Sequence, residues 1–399
     1  MWKLYLILFT LAFALGQFAR IKLAPGVNLL GIDAIAIVFG GYFVLEQTLR
    51  KKKIKSELSR PIAIFSFVAL LSLLANLYWV GFENAMVAGM YLVRFLAYFG
   101  MYLFIRRRSK ADLAVLRKVL LFIVTFTVIV GFFQVVYYPN LRNLYYLGWD
   151  DHLYRLFSVF LDPNYTGVMF VLFLVYLAYY FFTLKSKQLL AKVLLLVIAL
   201  GTFLSVFLTY SRTALVTLVF GGVFYLGLMK KRALVLLFSL IVFIFFLSTI
   251  NPDIEGLNPF RTVSTNARFN SYEIALNIFA DNPVLGVGFN TYRYAQNMYG
   301  YRTGGAWETS HADAGTDNSF LLVLATTGVL GLGAFVYLWY KVIRLLRIKI
   351  EEGSSIARSA LISVISVFIA SFFVNALFYP FILAWLWVLI ALSDRKIKA

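Results

Sequence analysis

VLLFIVTFTVIVGFFQVVYY, residues 119–138, is apolar throughout except for Thr125, Thr127, Gly131 and Gln134. A helix needs roughly 20 apolar residues to cross the hydrocarbon core of a bilayer, and this run supplies them. Similar runs lie on both sides, at 3–19, 28–48, 61–80, 85–105, 164–183, 193–210, 213–229, 233–250, 317–340, 360–378 and 380–393. They are too long for buried strands and show no dyad alternation, which excludes a β-barrel. The fold expected is therefore an all-α polytopic membrane protein of about 12 transmembrane helices, with 1–399 as a single transmembrane domain. In the last two runs Asn375, Tyr379 and Pro380 interrupt the apolar pattern.

Bulk composition agrees. Hydrophobic residues make up 62% of the chain and charged ones 14%, where a soluble domain carries about 25% charged residues. The net charge of +19 in a soluble protein would suggest nucleic acid. Here 27 of the 37 Lys and Arg residues fall in one alternating set of loops, nine in the other set, and Arg94 lies within a run. That asymmetry is the positive-inside pattern, not a nucleic-acid groove. It places Arg50–Lys55, Arg106–Lys110, Lys185–Lys192, Lys230–Arg232, Lys341–Lys349 and Arg395–Lys398 in the cytoplasm, with both termini. The N-terminal run resembles a signal peptide but reads as an uncleaved first span. The absence of cysteine excludes disulfides, Cys-bound zinc and iron–sulfur clusters.

By this topology 139–163 and 251–316 are outer loops. The second is long for a connection. Tyr272, Ala275, Leu276 and Phe279 recur in it at helical spacing. An amphipathic helix near 266–281, lying on the membrane surface, is expected, with Asn282-Pro283 as its stop. Pro283-Val284-Leu285-Gly286-Val287-Gly288 then reads as a turn. A phosphate-cradling glycine loop would need a preceding strand, and there is none.

Arginines on the arginine-poor face stand out. Arg212 sits between two apolar runs with almost no loop, Arg155 precedes a span, and Arg261 and Arg268 flank the start of the surface helix. One such arginine is explained by snorkelling. Several together suit a di-anionic group such as a pyrophosphate, which guanidinium forks bind bidentately. Both histidines, His152 and His311, are outside. A His or carboxylate in Ser310–Ser319 could accept a proton from a hydroxyl nucleophile. His311, Asp313 and Asp317 could also ligate a metal, but nearby arginines oppose a cation. Arg94 is expected to pair with Glu46 or Asp33.

The order of these elements resembles the bacterial O-antigen ligase and O-antigen polymerase superfamily. The resemblance rests on Arg155 with Asp162-Pro163-Asn164, Ser211-Arg212-Thr213-Ala214, the long loop with Arg268, Asn282 to Gly288, and Asp317-Asn318-Ser319-Phe320-Leu321 running into Thr327 to Gly331. It implies a helical membrane glycosyltransferase that takes glycan from undecaprenyl pyrophosphate at the outer face of the bacterial inner membrane. The product would be O-antigen, capsule or exopolysaccharide, and transfer would be inverting, with no metal and no cofactor. Arg212 and Arg268 would hold the pyrophosphate. Arg155, Asn164 and Asn318 would complete the substrate site. A glycan or lipid acceptor, membrane lipids, and a chain-length regulator or flippase are the partners implied. Lipopolysaccharide ligases carry His directly before the Asn of the last motif; this chain has Asp317 there, with His311 earlier. Asp317 or His311 is then the base, and the departure leans towards polymerase-type members. The rival reading is a transporter or lipid flippase. Those proteins place charged, broken-helix features in related halves near the midplane, and no related halves are visible here.

Overall fold

Asp162 begins a helix by accepting the Asn164 and Tyr165 amides on its carboxylate, at 2.7 and 3.2 Å, and Pro163 occupies the first turn, where its missing N–H costs nothing. Ser109 and Asp112 close another N-terminus reciprocally, as a capping box. Such signals punctuate the chain in a computed structural model that describes residues 1–24, 27–51, 56–147, 149–185, 187–228, 234, 238, 241–242, 262–302 and 315–394.

The helices are α1 (Trp2–Leu15), α2 (Gly31–Leu49), α3 (Ser59–Ala75), the single turn α4 (Leu77–Val80), α5 (Phe82–Arg106), α6 (Lys110–Tyr137), α7 (Pro163–Thr183), α8 (Leu189–Leu208), α9 (Arg212–Leu228), α10 (Val263–Asp281), α11 (Tyr292–Met298), α12 (Ser319–Glu351), α13 (Ser355–Ala370) and α14 (Pro380–Ser393). A short antiparallel hairpin, β1 (Arg20–Ala24) and β2 (Val27–Leu30), joins α1 to α2. Among the described residues, six helices are long and apolar enough to cross a membrane: α2, α5, α6, α7, α8 and α12. Shorter apolar helices stand at α1, α3, α9, α13 and α14. The span expected at 233–250 lies outside the described residues, apart from 234, 238, 241 and 242.

Burial sorts the helices. Every residue of α14 is buried, as befits a helix apolar on all sides; its Trp385 meets Phe173 of α7 and Phe13 of α1. On α8, by contrast, Leu190, Leu194, Val197 and Leu200 are exposed, the composition of a helix that faces lipid. α2 and α5 cross through two glycines. A Cβ on Gly40 would lie 2.7 Å from the Ala97 carbonyl, and one on Gly100 would lie 2.9 Å from Gly40 Cα. Small residues allow this approach, the usual basis of helix association in lipid.

The same pair of helices settles Arg94. Its Nε lies 2.8 Å from Asp33 Oδ1, Asp33 is fully buried, and the Tyr98 hydroxyl donates to the same oxygen at 2.5 Å. The other Asp33 oxygen accepts the Leu30 amide that opens α2. Glu46 instead pairs with Arg50. Removing one partner of a buried pair leaves the other charge uncompensated, so Asp33→Ala should cost about 3–5 kcal/mol. A melting temperature in detergent unchanged by this substitution would contradict the assignment.

Two expected spans differ in shape. The run at 360–378 is helical only to Ala370; residues 371–375 turn, and a short 3₁₀ segment spans Ala376–Phe378. Asn375 is tied to Ser319 within this non-helical stretch, and Pro380 starts the next helix. The run at 317–340 extends to Glu351 but breaks at Gly328, whose backbone is at φ 63°, ψ −167°.

Candidate functional site

The break at Gly328 is where the site is assembled. Pro283 to Gly288 docks against it, and the contacts are made by backbone. The Val287 and Gly288 amides donate to the Ala325 and Thr326 carbonyls at 3.1 and 3.0 Å, and the Val329 amide donates to the Pro283 carbonyl at 2.9 Å. Ser72 of α3 lies between two carbonyls, its hydroxyl 2.6 Å from Leu285 and 2.9 Å from Thr326, and the Asn76 amide donates to Gly286 at 3.0 Å. Carbonyls freed by the break are thereby satisfied, as burial requires. These contacts also dispose of the phosphate-loop reading. The Gly286 amide is bonded to Asn282, and those of Val287 and Gly288 to the helix, so they do not point at a ligand.

Gly328 divides α12 into an upper piece, Ser319 to Thr327, and a long remainder. Asn318 caps the upper piece by accepting the Phe320 and Leu321 amides at 2.9 and 3.0 Å. The Ser319 hydroxyl donates to Asn375 Oδ1 at 3.0 Å and accepts the Leu377 amide at 3.2 Å, anchoring the non-helical stretch after α13. Asp317 stands directly before this cap, and its amide donates to Ser271 of α10 at 3.3 Å. α10 therefore rests on α12 through buried Ala275 and Ile278, while Leu276, expected on the apolar face, is exposed.

Two cavities open at this end of the bundle. The first, about 290 Å³, is lined by Arg212, Thr213, Val216, Thr265, Arg268, Phe269, Tyr272 and Phe373. Arg212 is the first residue of α9 and Arg268 lies in the second turn of α10. Arg268 reaches across to the Thr213 hydroxyl at 3.4 Å, and its charge is felt at Arg212. No carboxylate is among the described residues lining this cavity. Two guanidiniums held together on apolar walls have the charge and fork geometry that suit a compact polyanion.

The second cavity, about 330 Å³, is lined by Arg94, Asp317, Arg293, Asn290 and Asn375 among aromatic walls that include Tyr91 and Tyr165. Tyr272 belongs to the partition between the two. Burial pushes its phenol up, Arg268 draws it down and Asp317 pushes it up again. It stays protonated near neutral pH and donates to the Phe372 carbonyl. The partition continues through the turn after α13, with Phe373 on the first cavity and Asn375 on the second.

The sequence-predicted residues thus fall into three groups. Arg212 and Arg268 share one cavity, and Asp317 lines the next. Arg155, Asn164 and Asn318 line neither. Arg155 is buried; its Nε donates to the Thr209 carbonyl at 2.9 Å and its terminal nitrogen lies 3.5 Å from Asn164 Oδ1, which also accepts from Ser211 at 3.0 Å. This pair supports the turn that presents Arg212, and Asn318 is a helix cap. His311, Asp313 and Arg261 lie outside the described residues. His152 sits beside Phe157, where burial pulls its imidazole pKa down against the opposing effect of Asp162. The sequence reading did not single out Arg293, Ser72 or Asn76, and took Tyr272 only as part of the amphipathic spacing. Arg293 offered a signal as another arginine of the long outer loop; Ser72 and Asn76 sit far away in sequence and offered none.

Residues 197–336 match the family model described as O-antigen ligase. The match takes in α9, the described part of the long loop, the docked turn and the Gly328 break. It bears out the resemblance to the O-antigen ligase and polymerase superfamily, and with the apolar helices it marks a bacterial membrane protein of glycan-transfer type. No curated protein matches the chain.

Proposed function

We propose that this protein is a glycosyltransferase that polymerises or ligates glycan from an undecaprenyl-pyrophosphate-linked donor at the outer face of the cytoplasmic membrane. The observation that carries the reading is the pair of cavities on either side of one partition, with two guanidiniums on one side and a carboxylate on the other. The Arg212–Arg268 cavity takes the pyrophosphate, and its apolar walls suit the start of a polyprenyl chain. The acceptor hydroxyl approaches from the Asp317 side. Its oxygen attacks the anomeric carbon, the bond from that carbon to the pyrophosphate oxygen breaks, and the configuration inverts. The hydroxyl proton passes to the Asp317 carboxylate, and the bond's electron pair leaves with the pyrophosphate. The guanidiniums stabilise charge that grows on the leaving group, the role preorganised cations fill best. The chemistry of this scheme requires no metal.

Purified protein given a polyprenyl-pyrophosphate glycan should release polyprenyl pyrophosphate and yield joined glycan. Movement of the intact lipid across a vesicle membrane without covalent change would favour a flippase instead. Asp317→Asn should lower the transfer rate by about 10²–10⁴-fold, the range for loss of a general base, and leave donor binding within a factor of a few. Unaltered turnover in that variant would move the base elsewhere, to His311 first.

A further inference from the structure

The opposite end of the bundle has a cavity of its own. α7 connects the two ends: Asn164 in its first turn stands beside Ser211, below the arginine cavity, and Tyr179 near its last residue bonds to Arg117. The cavity there, about 140 Å³, is lined by Lys110, Leu113 and Arg117 of α6, Ile356 of α13 and Leu392 of α14. Lys110, Leu113 and Arg117 recur at i, i+3 and i+7, one face of a helix. The rise from Lys110 to Arg117 is about 10 Å, and Arg117 and Lys118 immediately precede the apolar run at 119–138. The cavity therefore stands at the depth where hydrocarbon gives way to headgroups. On the expected topology this is the cytoplasmic leaflet.

Other cations at this end have acidic partners. Arg106 pairs with Asp394, Arg50 with Glu46 and Lys349 with Glu352. Lys110 and Arg117 form no ion pair among the described residues, and no carboxylate is among the described residues lining the cavity. Asp112, the nearest acid in sequence, is turned back to the helix start, where it accepts the Ser109 amide at 3.3 Å. Neutral groups hold Arg117 in place. Its Nε donates to the Leu113 carbonyl at 3.4 Å, a terminal nitrogen donates to the Tyr179 hydroxyl at 3.2 Å, and its own carbonyl accepts the Tyr176 hydroxyl at 2.7 Å. A guanidinium carries five N–H donors, so these bonds fix its position and leave donors for a ligand. Snorkelling alone would extend such a side chain to water; this one is half-buried and tied to α7.

The flank of α6 is exposed and apolar. Val115, Phe122, Ile129 and Phe133 form a stripe along it, the surface of a helix that faces hydrocarbon, and Lys118 is exposed at its headgroup end. A phosphate arriving from the membrane brings glycerol and acyl chains with it. Leu113, Ile356 and Leu392 give the cavity the apolar surface those groups need.

We propose that this cavity binds the phosphate of an anionic glycerophospholipid, with Arg117 and Lys110 as its two cations. Basic pockets between membrane helices on the cytoplasmic side take headgroups of this class. The bound lipid fills the gap between the start of α6 and the ends of α13 and α14, and fastens them to one another. The site is independent of glycan transfer, since it lies at the other end of α7 from the arginine cavity.

The test uses the full chain, purified in detergent and stripped of lipid, with three probes: phosphatidylglycerol, phosphatidylcholine and inorganic phosphate. Native mass spectrometry reads the lipid bound, and thermal melting reads its effect. Phosphatidylglycerol should bind about tenfold more tightly than phosphatidylcholine, the order that two cations at a headgroup supply, and should raise the melting temperature more. Lys110→Gln and Arg117→Gln should each lower that preference about fivefold. Lys187→Gln removes the same charge from an exposed position on the connection after α7 and should leave the preference as it is. Equal binding of the two lipids by the wild-type protein overturns the proposal, and needs no variant to fold. So does an unchanged preference in Lys110→Gln, whose side chain is exposed and whose loss does not threaten folding. An equal loss in Lys187→Gln would show diffuse attraction to charge in place of a site. Inorganic phosphate that stabilises the stripped protein as much as phosphatidylglycerol does would mark a site for a soluble anion and overturn the lipid assignment.

Discussion

Arg212→Ala should cut glycan product by about 10²–10³-fold, the loss seen when one preorganised charge-stabilising group is removed from an active site, with the amount of protein in the membrane unchanged. The side chain emerges from the first residue of α9 into the cavity shared with Arg268. The turn beneath it is held by other residues: Ser211 accepts the Ala214 amide, and Arg155 and Asn164 secure Thr209 and Ser211. Truncation therefore removes the charge and leaves its platform. Arg212→Lys separates charge from shape, since an ammonium keeps the charge without the planar fork that meets two phosphate oxygens. It should recover part of the activity. Arg268→Ala should lose a similar amount, and the double variant should lose less than the product of the two, because in the proposed mechanism both act on one leaving group. A chain-length ladder from the Arg212→Ala protein equal to that of the wild type would refute the site.

Gly328→Ala should do more damage, and of another kind: loss of folded protein rather than of chemistry. At φ 63°, ψ −167° the backbone occupies a region essentially confined to glycine, costing other residues about 1–3 kcal/mol. A Cβ there would also lie 2.2 Å from the Val284 carbonyl oxygen, a backbone atom that cannot move aside without breaking the docked turn. Gly286 faces the same joint from the other side. Its φ is +65°, and a Cβ on it would lie 2.4 Å from the Thr326 carbonyl carbon. Either substitution should lower the melting temperature in detergent and the yield of monodisperse protein. Gly333→Ala is the control, since a Cβ at that position of the same helix meets nothing within 4 Å. Equal stability of the Gly328 and Gly333 variants would show that the joint does not hold the site.

Apolar run length and charge asymmetry made the helices and the special loop legible in the sequence, because both follow from local composition. The arginine pair was legible as a departure from that asymmetry. Its convergence was not, since Arg212 and Arg268 are brought together by how α10 lies on α12. What Arg155, Asn164 and Asn318 touch was not legible, for one reason. A polar side chain beside a helix start serves a ligand or a backbone amide equally well, and only geometry distinguishes them. The joint at Gly328 was visible as two glycine-bearing motifs without a relation. Nothing in a linear chain announces that the amides of one will pair with the carbonyls of the other, or that Ser72 will lie between them.

That joint has a consequence for how the molecule can drift over generations. Its bonds run between peptide groups, so the exposed side chain of Val284 can be exchanged while the union persists, whereas Val287 is also held by packing against Ala275 and Ile278. Glycine at 286 and 328, and the number of residues between Pro283 and Gly288, cannot change so freely. Lineages descended from a common ancestor could diversify the surfaces that meet different sugars and still inherit the same separation between the arginine cavity and the carboxylate.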